Sequence, residues 1–485
     1  MNNKLAKNLF IEGLEFFKNK KYDKAAQIFK EILIINPKNV NSLVILSQIY
    51  KSKNNITEYE KILRKIIKLD ENNYQSLNNL AMLYKDNDFI EKAEFYFKKS
   101  IEKNSNYVKA VFNLALLYEE KGNLKEAEDL YKKALKIEIL PSIYFNILRI
   151  NENYIDKINL DNIKYICESR VDNPKERAYA YFILAIKERR KKNIENEIKY
   201  LELGHHLFMN SDKIYLKSND YWINKIPNIF LKKLKYSKIN DGENNLKNLN
   251  PIFVVGLPRS GTTLVETLIS SQKKEVKNCG ETAVIPQSIG NFLLKQNVED
   301  VKIDLPSIKR DITQGYNQII NSNKPITFVD KTLENIFFID IIQKIFPESK
   351  IIICQRNYFH NFVAIFQQCL ASLPWTHNKE SVLKYIENFN LMLNKIKKKK
   401  YKNILCINLN ELTNSPVVNS KKILKFCDLN WDNSVLKFYE RDDLIIKTAS
   451  NIQIRKGILR YDNAKFIGYE KPLKKYFKRI KTFKN

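Results

Sequence analysis

The segment 251–271, PIFVVGLPRSGTTLVETLISS, reads as an apolar run, a tight loop and an amphipathic helix in succession. Gly256 and Gly261 have the spacing of the phosphate-cradling loop GxxxxGK[ST], but Thr262 takes the lysine position and Arg259 stands inside the loop. Backbone amides of such a loop, feeding a helix N-terminus, bind an anion through unsatisfied N–H groups and the helix dipole. Ser260, Thr262 and Thr263 add hydroxyl donors. Metal-dependent phosphoryl transfer would also require the lysine, absent here, and a metal-holding acid, for which Asp330 at the end of ITFVD is the candidate. Asp330 can equally orient the neighbouring Lys331 or serve as a buried strand-end acid.

Short apolar runs alternate with helical patterns after residue 250: PIFVVG, ITFVD (326–330), KIIICQ (350–355) and NILCINL (403–409). This alternation predicts a parallel sheet covered by helices, with ligands outside the carboxyl ends of the strands. The polar stretch 236–250 reads as a linker.

The first third is repetitive. Gly13, Ser47, Ala81 and Ala115 recur every 34 residues, as do Phe16, Tyr50, Tyr84 and Tyr118, and Phe29, Leu63, Phe97 and Tyr131. Small residues let paired helices approach and aromatics fill the gaps between pairs. The period resembles the tetratricopeptide repeat. Tyr59 breaks the small-residue series Ala25, Ala93, Ala127. A fainter unit covers 177–210, with Ala185 and Gly204 in small-residue places, and adjacent His205 and His206 read as surface or packing residues. The expected organisation is multidomain: a repeat array at 1–140, degenerate helical repeats at 141–235, the linker, and an α/β P-loop-like parallel-sheet domain at 251–485. The array offers a groove for a peptide or protein, or else a spacer or homodimer surface.

The formal net charge is +29, but lysine, asparagine and isoleucine abound throughout, so the excess is read as composition rather than as a nucleic-acid surface. Six cysteines form no CxxC or His/Cys cluster, which indicates neither zinc nor a disulfide framework. With no signal-like h-region and no window long enough for a membrane span, a cytoplasmic protein is expected.

Several motifs together support a family resemblance. GLPRSGTTLVETL resembles the sulfotransferase loop that binds the 5′-phosphosulfate of 3′-phosphoadenosine 5′-phosphosulfate (PAPS). CGETAVIP (279–286) resembles the following segment of protein-tyrosine sulfotransferases, and FVDKTLEN (328–335) that of bacterial sulfotransferases carrying tetratricopeptide repeats. IIICQRNYFHNF resembles the strand and turn that bind the 3′-phosphate, and KTASNIQIRKG with NAKFIGY resembles the C-terminal segment that closes on the cofactor. The resemblance spans about 251–470.

It implies transfer from PAPS, without a metal, to a hydroxyl of peptide tyrosine, a glycan or a small molecule, leaving adenosine 3′,5′-bisphosphate. Pro258, Arg259, Ser260, Gly261, Thr262 and Thr263 would hold the phosphosulfate, and Arg259 would also stabilise the transition state. Lys331 would support the leaving oxygen and Glu281 would be the general base. Arg356 would clamp the 3′-phosphate. Ser450 joins the catalytic set by its place in the closing segment, and Lys456 and Lys465 are further cofactor contacts. Ala283 replaces a family arginine and Ala364 a family serine, for which His360 or Gln367 would compensate. The competing expectations are a repeat scaffold with a degenerate nucleotide-binding domain, and a P-loop kinase.

Overall fold

The computed structural model describes residues 2–169, 173–238, 249–271, 275–296, 302–320, 322, 324–441 and 443–483. Most of the expected linker, 239–248, lies outside these residues. Internal contacts divide the chain into two compact units, Met1–Tyr154 and Ile155–Asn485.

The first unit is a series of antiparallel helix pairs: Asn2–Lys18 with Tyr22–Ile35, Val40–Ser52 with Ile56–Leu69, Tyr74–Asp86 with Ile90–Lys103, and Val108–Lys121 with Leu124–Ile137. Helix Pro141–Ile150 follows. The 34-residue spacing is explained by packing. Phe29, Leu63, Phe97 and Tyr131 are wholly buried, and so are Ala81, Ala93, Ala115 and Ala127. A Cβ added to Gly13 would come within 3.0 Å of the Phe29 ring. Tyr59, at the odd small-residue position, is also buried in its helix interface.

A polar ladder repeats with the same period. The Tyr84 hydroxyl donates to Glu60 at 2.8 Å, and the Tyr118 hydroxyl to Glu94 at 2.8 Å. Glu94 also accepts from Lys98 at 2.6 Å and from Lys121 at 2.7 Å. Burial alone would raise the Glu94 carboxyl, but bonds from Lys121, Lys98 and Tyr118 outweigh it and hold its pKa down at about 2. A carboxyl depressed by folding contributes stability that is fully present above its ordinary range and is lost as pH falls towards 2. Glu94→Gln is therefore expected to speed amide exchange across Ile90–Lys103 and Val108–Lys121 at pH 7, consistent with a loss of about 1–2 kcal/mol. The difference from wild type should shrink between pH 4.5 and pH 2. Exchange that is equal in the two proteins at pH 7 would count against the ladder.

The second unit contains a helical hairpin, Pro174–Arg190 and Ile194–Asn210, and a five-stranded sheet. Gly204 has the role its spacing suggested, because a Cβ there would lie 3.1 Å from the Ala178 carbonyl and 3.3 Å from the Phe182 ring. In chain order the strands are β1 (Lys235–Tyr236), β2 (Leu249–Gly256), β3 (Val276–Asn278), β4 (Lys302–Ile303), β5 (Ile326–Asp330), β6 (Lys350–Gln355) and β7 (Ile404–Asn408). The main sheet is wholly parallel, ordered β3-β5-β2-β6-β7, while β1 and β4 pair separately. Residues 252–255 and 351–353 are buried on both faces, as a helix-covered parallel sheet requires. The four expected strands are all present. The edge strand β3 was not legible, because three residues are too few to show an apolar period.

This register brings the chemistry together. Phe253 pairs with Asp330, Gly256 with Cys354, and Gln355 with Asn408, so the turns after β2, β5 and β6 share one edge of the sheet.

Candidate active site

The loop after β2 is shaped by backbone constraints. Arg259 has φ +67° and Gly261 φ +94°, both in the left-handed region. A Cβ on Gly256 would lie 2.7 Å from Ser260 Oγ and 2.8 Å from the Cys354 carbonyl; one on Gly261 would lie 2.7 Å from Leu409. Only glycine fits either place. Helix Thr262–Ser270 begins directly after the loop, with Thr262 and Thr263 buried. Among the described residues, Ser260 Oγ is buried without a hydrogen-bond partner. Asn361 pins the loop from below, its amide donating to the Pro258 carbonyl at 2.5 Å.

The C-terminal segment closes on this loop. Arg259 donates to Ser450 Oγ at 2.7 Å and to Gln453 Oε1 at 2.6 Å, and the Thr263 and Thr448 hydroxyls are 3.2 Å apart. Ser450 is thus brought to the loop from 191 residues away. Lys456 and Lys465 are exposed on the same segment. Arg356, just past β6, donates through Nη1 to the Arg259 carbonyl at 2.9 Å. Its Nε donates to the Tyr461 hydroxyl at 2.8 Å.

Lys331 is 1% exposed, and its ammonium donates to Glu281 and lies 3.8 Å from Glu266 Oε2. The 279–283 loop is stitched to β5 to make this pairing. Cys279 N donates to the Val329 carbonyl at 3.0 Å, and Lys331 N to the Gly280 carbonyl at 2.8 Å. Ala283 N donates to Thr332 Oγ1 at 3.1 Å. Burial alone would lower the Lys331 pKa, but Glu266 and Glu281 outweigh it and hold it above the usual value. Glu281 stays half exposed, its side chain 49% accessible.

Asp330 resolves to the strand-end reading. Its Oδ2 accepts from Thr282 and Tyr316, each at 2.6 Å, and its Oδ1 accepts from Thr332 N at 2.7 Å. Both oxygens are committed to holding the 282–283 turn and helix Leu305–Ile320 on the end of β5. Gln367, a candidate to stand in for the serine lost at Ala364, is turned elsewhere and donates to Glu197 at 3.1 Å and Tyr469 at 2.8 Å. His360 does lie beside Arg356. Trp375 is a core residue, 1% exposed and stacked on Tyr385 with ring centroids 3.8 Å apart. His205 is buried and packs its Nδ1 2.9 Å from His377 Nδ1.

Three residues escaped the sequence reading: Glu266, Glu334 and Tyr461. Burial raises the Glu266 carboxyl to about 7, against the pull of Lys331, and it raises Glu334 to about 7 as well. The shifts of Lys331 and Glu266 differ for a physical reason. The lysine has two carboxylates near it, whereas Glu266 has one ammonium at 3.8 Å. Glu266 had a legible signal, a charged residue on an otherwise apolar helix face; Tyr461 had none.

Residues 251–433 match the sulfotransferase family model, and 40–73, 74–107 and 96–129 match tetratricopeptide repeat models. The chain therefore joins a tetratricopeptide repeat array to a sulfotransferase-family domain. An uncharacterized protein of Aquifex aeolicus (strain VF5) is 30% identical over 239 residues, which is 46% of this chain and 31% of that protein. The chain thus spans about a third of the length of the curated relative it matches. Among solved structures, Pseudomonas aeruginosa pilF is 14% identical over 41% of this chain and 90% of its own, with a TM-score of 0.35. The crystal structure of MamA is 21% identical over 37% of this chain and 96% of its own, with a TM-score of 0.28.

A carboxyl raised by folding favours the folded state below that pKa and costs stability as pH rises from the ordinary carboxylate range through about 7. Glu266→Gln, neutral throughout, should therefore gain on wild type between pH 5 and pH 8, by about a few degrees in Tm. Tryptophan fluorescence reads this unit alone, since Trp222, Trp375 and Trp431 all lie in it. A variant that loses ground as pH rises would show that Lys331 needs an ionised Glu266.

Proposed function

We propose that the second unit transfers a sulfuryl group from PAPS to a hydroxyl acceptor, and that the repeat array recruits the acceptor or a partner protein. One continuous set of contacts carries this reading. Arg356 is bonded to the loop at the Arg259 carbonyl, and Lys331 lies between Glu281 and Glu266, the latter on the loop's own helix. Anion-binding groups and an acid–base pair are thereby joined at one edge of the sheet.

PAPS would supply a sulfuryl group on a nucleoside bisphosphate leaving group. The residues fit such a ligand: Ser260 Oγ is a buried donor without a partner, and Gly256 and Gly261 leave backbone where a side chain would intrude. Arg259 and the loop hydroxyls neutralise the 5′ side, Arg356 holds the 3′-phosphate, and Lys331 meets charge developing on the leaving oxygen. Glu281 accepts the acceptor's proton, which a hydroxyl with a pKa far above 7 requires. The kinase reading is weakened by Asp330, whose oxygens are already taken by protein donors. The acceptor class is open to peptide tyrosine, glycan and small-molecule hydroxyls.

Two outcomes are expected. Calorimetric titration should show adenosine 3′,5′-bisphosphate binding to the full chain equally well with and without a chelator; a strict magnesium requirement would return the reading to a kinase. Glu281→Gln keeps the size of the side chain but cannot take a proton. It should lower transfer from labelled PAPS by about 10²–10⁴ while leaving bisphosphate affinity nearly unchanged. Normal turnover in that variant would make Glu281 structural.

A further inference from the structure

At the carboxyl ends of β6 and β7 lies a cavity of about 800 Å³, and Arg356, His360 and Tyr461 share its wall. Their polar ends converge. The Tyr461 hydroxyl accepts from Arg356 Nε at 2.8 Å and lies 2.9 Å from His360 Nδ1. The guanidinium is packed over the rings of Tyr461 and Phe466, at 4.9 Å and 4.8 Å from their centroids. His360 stacks on Phe466, with centroids 4.5 Å apart and planes at 15°. Tyr461 is fixed in turn by its backbone N–H, which donates to Thr413 Oγ1 at 3.2 Å.

This cluster is built for a ligand more negative than anything the protein places there. Glu470 is the carboxylate on the cavity wall, and the Nε edge of Arg356 is met by a neutral phenol. A phosphate monoester has three terminal oxygens to satisfy, and one arginine edge satisfies two at most. Ala364, on the helix that carries His360, has no donor to add. A phenol and an imidazole beside the guanidinium supply what is lacking.

We infer that Tyr461, assisted by His360, is a phosphate-binding residue that completes with Arg356 the site for the 3′-phosphate of the nucleotide. The assignment rests on the PAPS reading above. In it, the Tyr461 hydroxyl turns its proton to a phosphate oxygen, and Arg356 Nε exchanges the phenol oxygen for the phosphate. The rings of Tyr461 and Phe466 keep the guanidinium planar against the wall in both arrangements.

The test is a calorimetric titration of the full chain with adenosine 3′,5′-bisphosphate and, separately, with adenosine 5′-phosphate. Tyr461→Phe keeps the ring over the guanidinium and removes only the hydroxyl. It should weaken the bisphosphate about 10-fold or more and the 5′-phosphate less than about twofold. His360→Phe, which preserves the stack on Phe466, should show the same selectivity at a smaller size. If wild type binds the bisphosphate and Tyr461→Phe binds it undiminished, or weakens both nucleotides equally, the assignment fails while the PAPS reading stands. If wild type binds neither nucleotide, the PAPS reading fails and takes the assignment with it.

Discussion

The buried ammonium of Lys331 sets the terms for the rest of the site. Taking a lysine head out of water costs several kcal/mol unless opposite charge is held beside it. Here Glu281, from the turn after β3, bonds the ammonium, while Glu266, from the helix after the anion loop, lies 3.8 Å away and carries its own charge at a cost. These contacts tie three segments to the end of β5. Asp330 secures the same junction with neutral donors, which leaves Lys331 as the cation that faces the exposed Glu281. A pair with one member buried and one half exposed suits proton transfer, because the lysine stays fixed while the carboxylate remains within reach of solvent.

The anion loop is under a different constraint, one of space. Gly256 is crowded by Ser260 and the next strand, Gly261 by Leu409, and Arg259 holds a left-handed backbone that non-glycine residues seldom adopt. Closure by the 448–461 segment then uses the guanidinium of Arg259 as its attachment point, through Ser450 and Gln453. In the proposed reading, ligand and closing segment would meet on the same arginine, which would link cofactor occupancy to the position of the segment.

The helical hairpin at 174–210 is part of this architecture. Glu197, wholly buried, accepts from Arg189 at 2.7 Å, from Gln367 at 3.1 Å and from Tyr469 at 2.5 Å. One carboxylate therefore joins the hairpin, the end of the helix that carries His360, and the C-terminal segment that carries Tyr461 and Phe466. The aromatic wall over Arg356 is held from the side of the chain that the sequence presents as a fading repeat.

The sequence by itself determined what is local or periodic. The 34-residue spacing, the four strands, the glycine loop with Arg259 inside it and Thr262 in the lysine place, and Lys331 and Arg356 at strand ends were all legible, because each depends on neighbours within a few residues or on a repeat. Asp330 as a hydrogen-bond hub, Glu266 as the second partner of Lys331, Gln367 turned to Glu197, and Tyr461 on Arg356 were decided only by the tertiary structure. Tyr461 lies 105 residues from Arg356, and Gln367 lies 170 from Glu197. No period or propensity reaches that far. Which polar groups meet is set by the order of strands in the sheet and by the cost of leaving a buried charge or donor unpaired, and that cost can be assessed only once the chain has closed on itself.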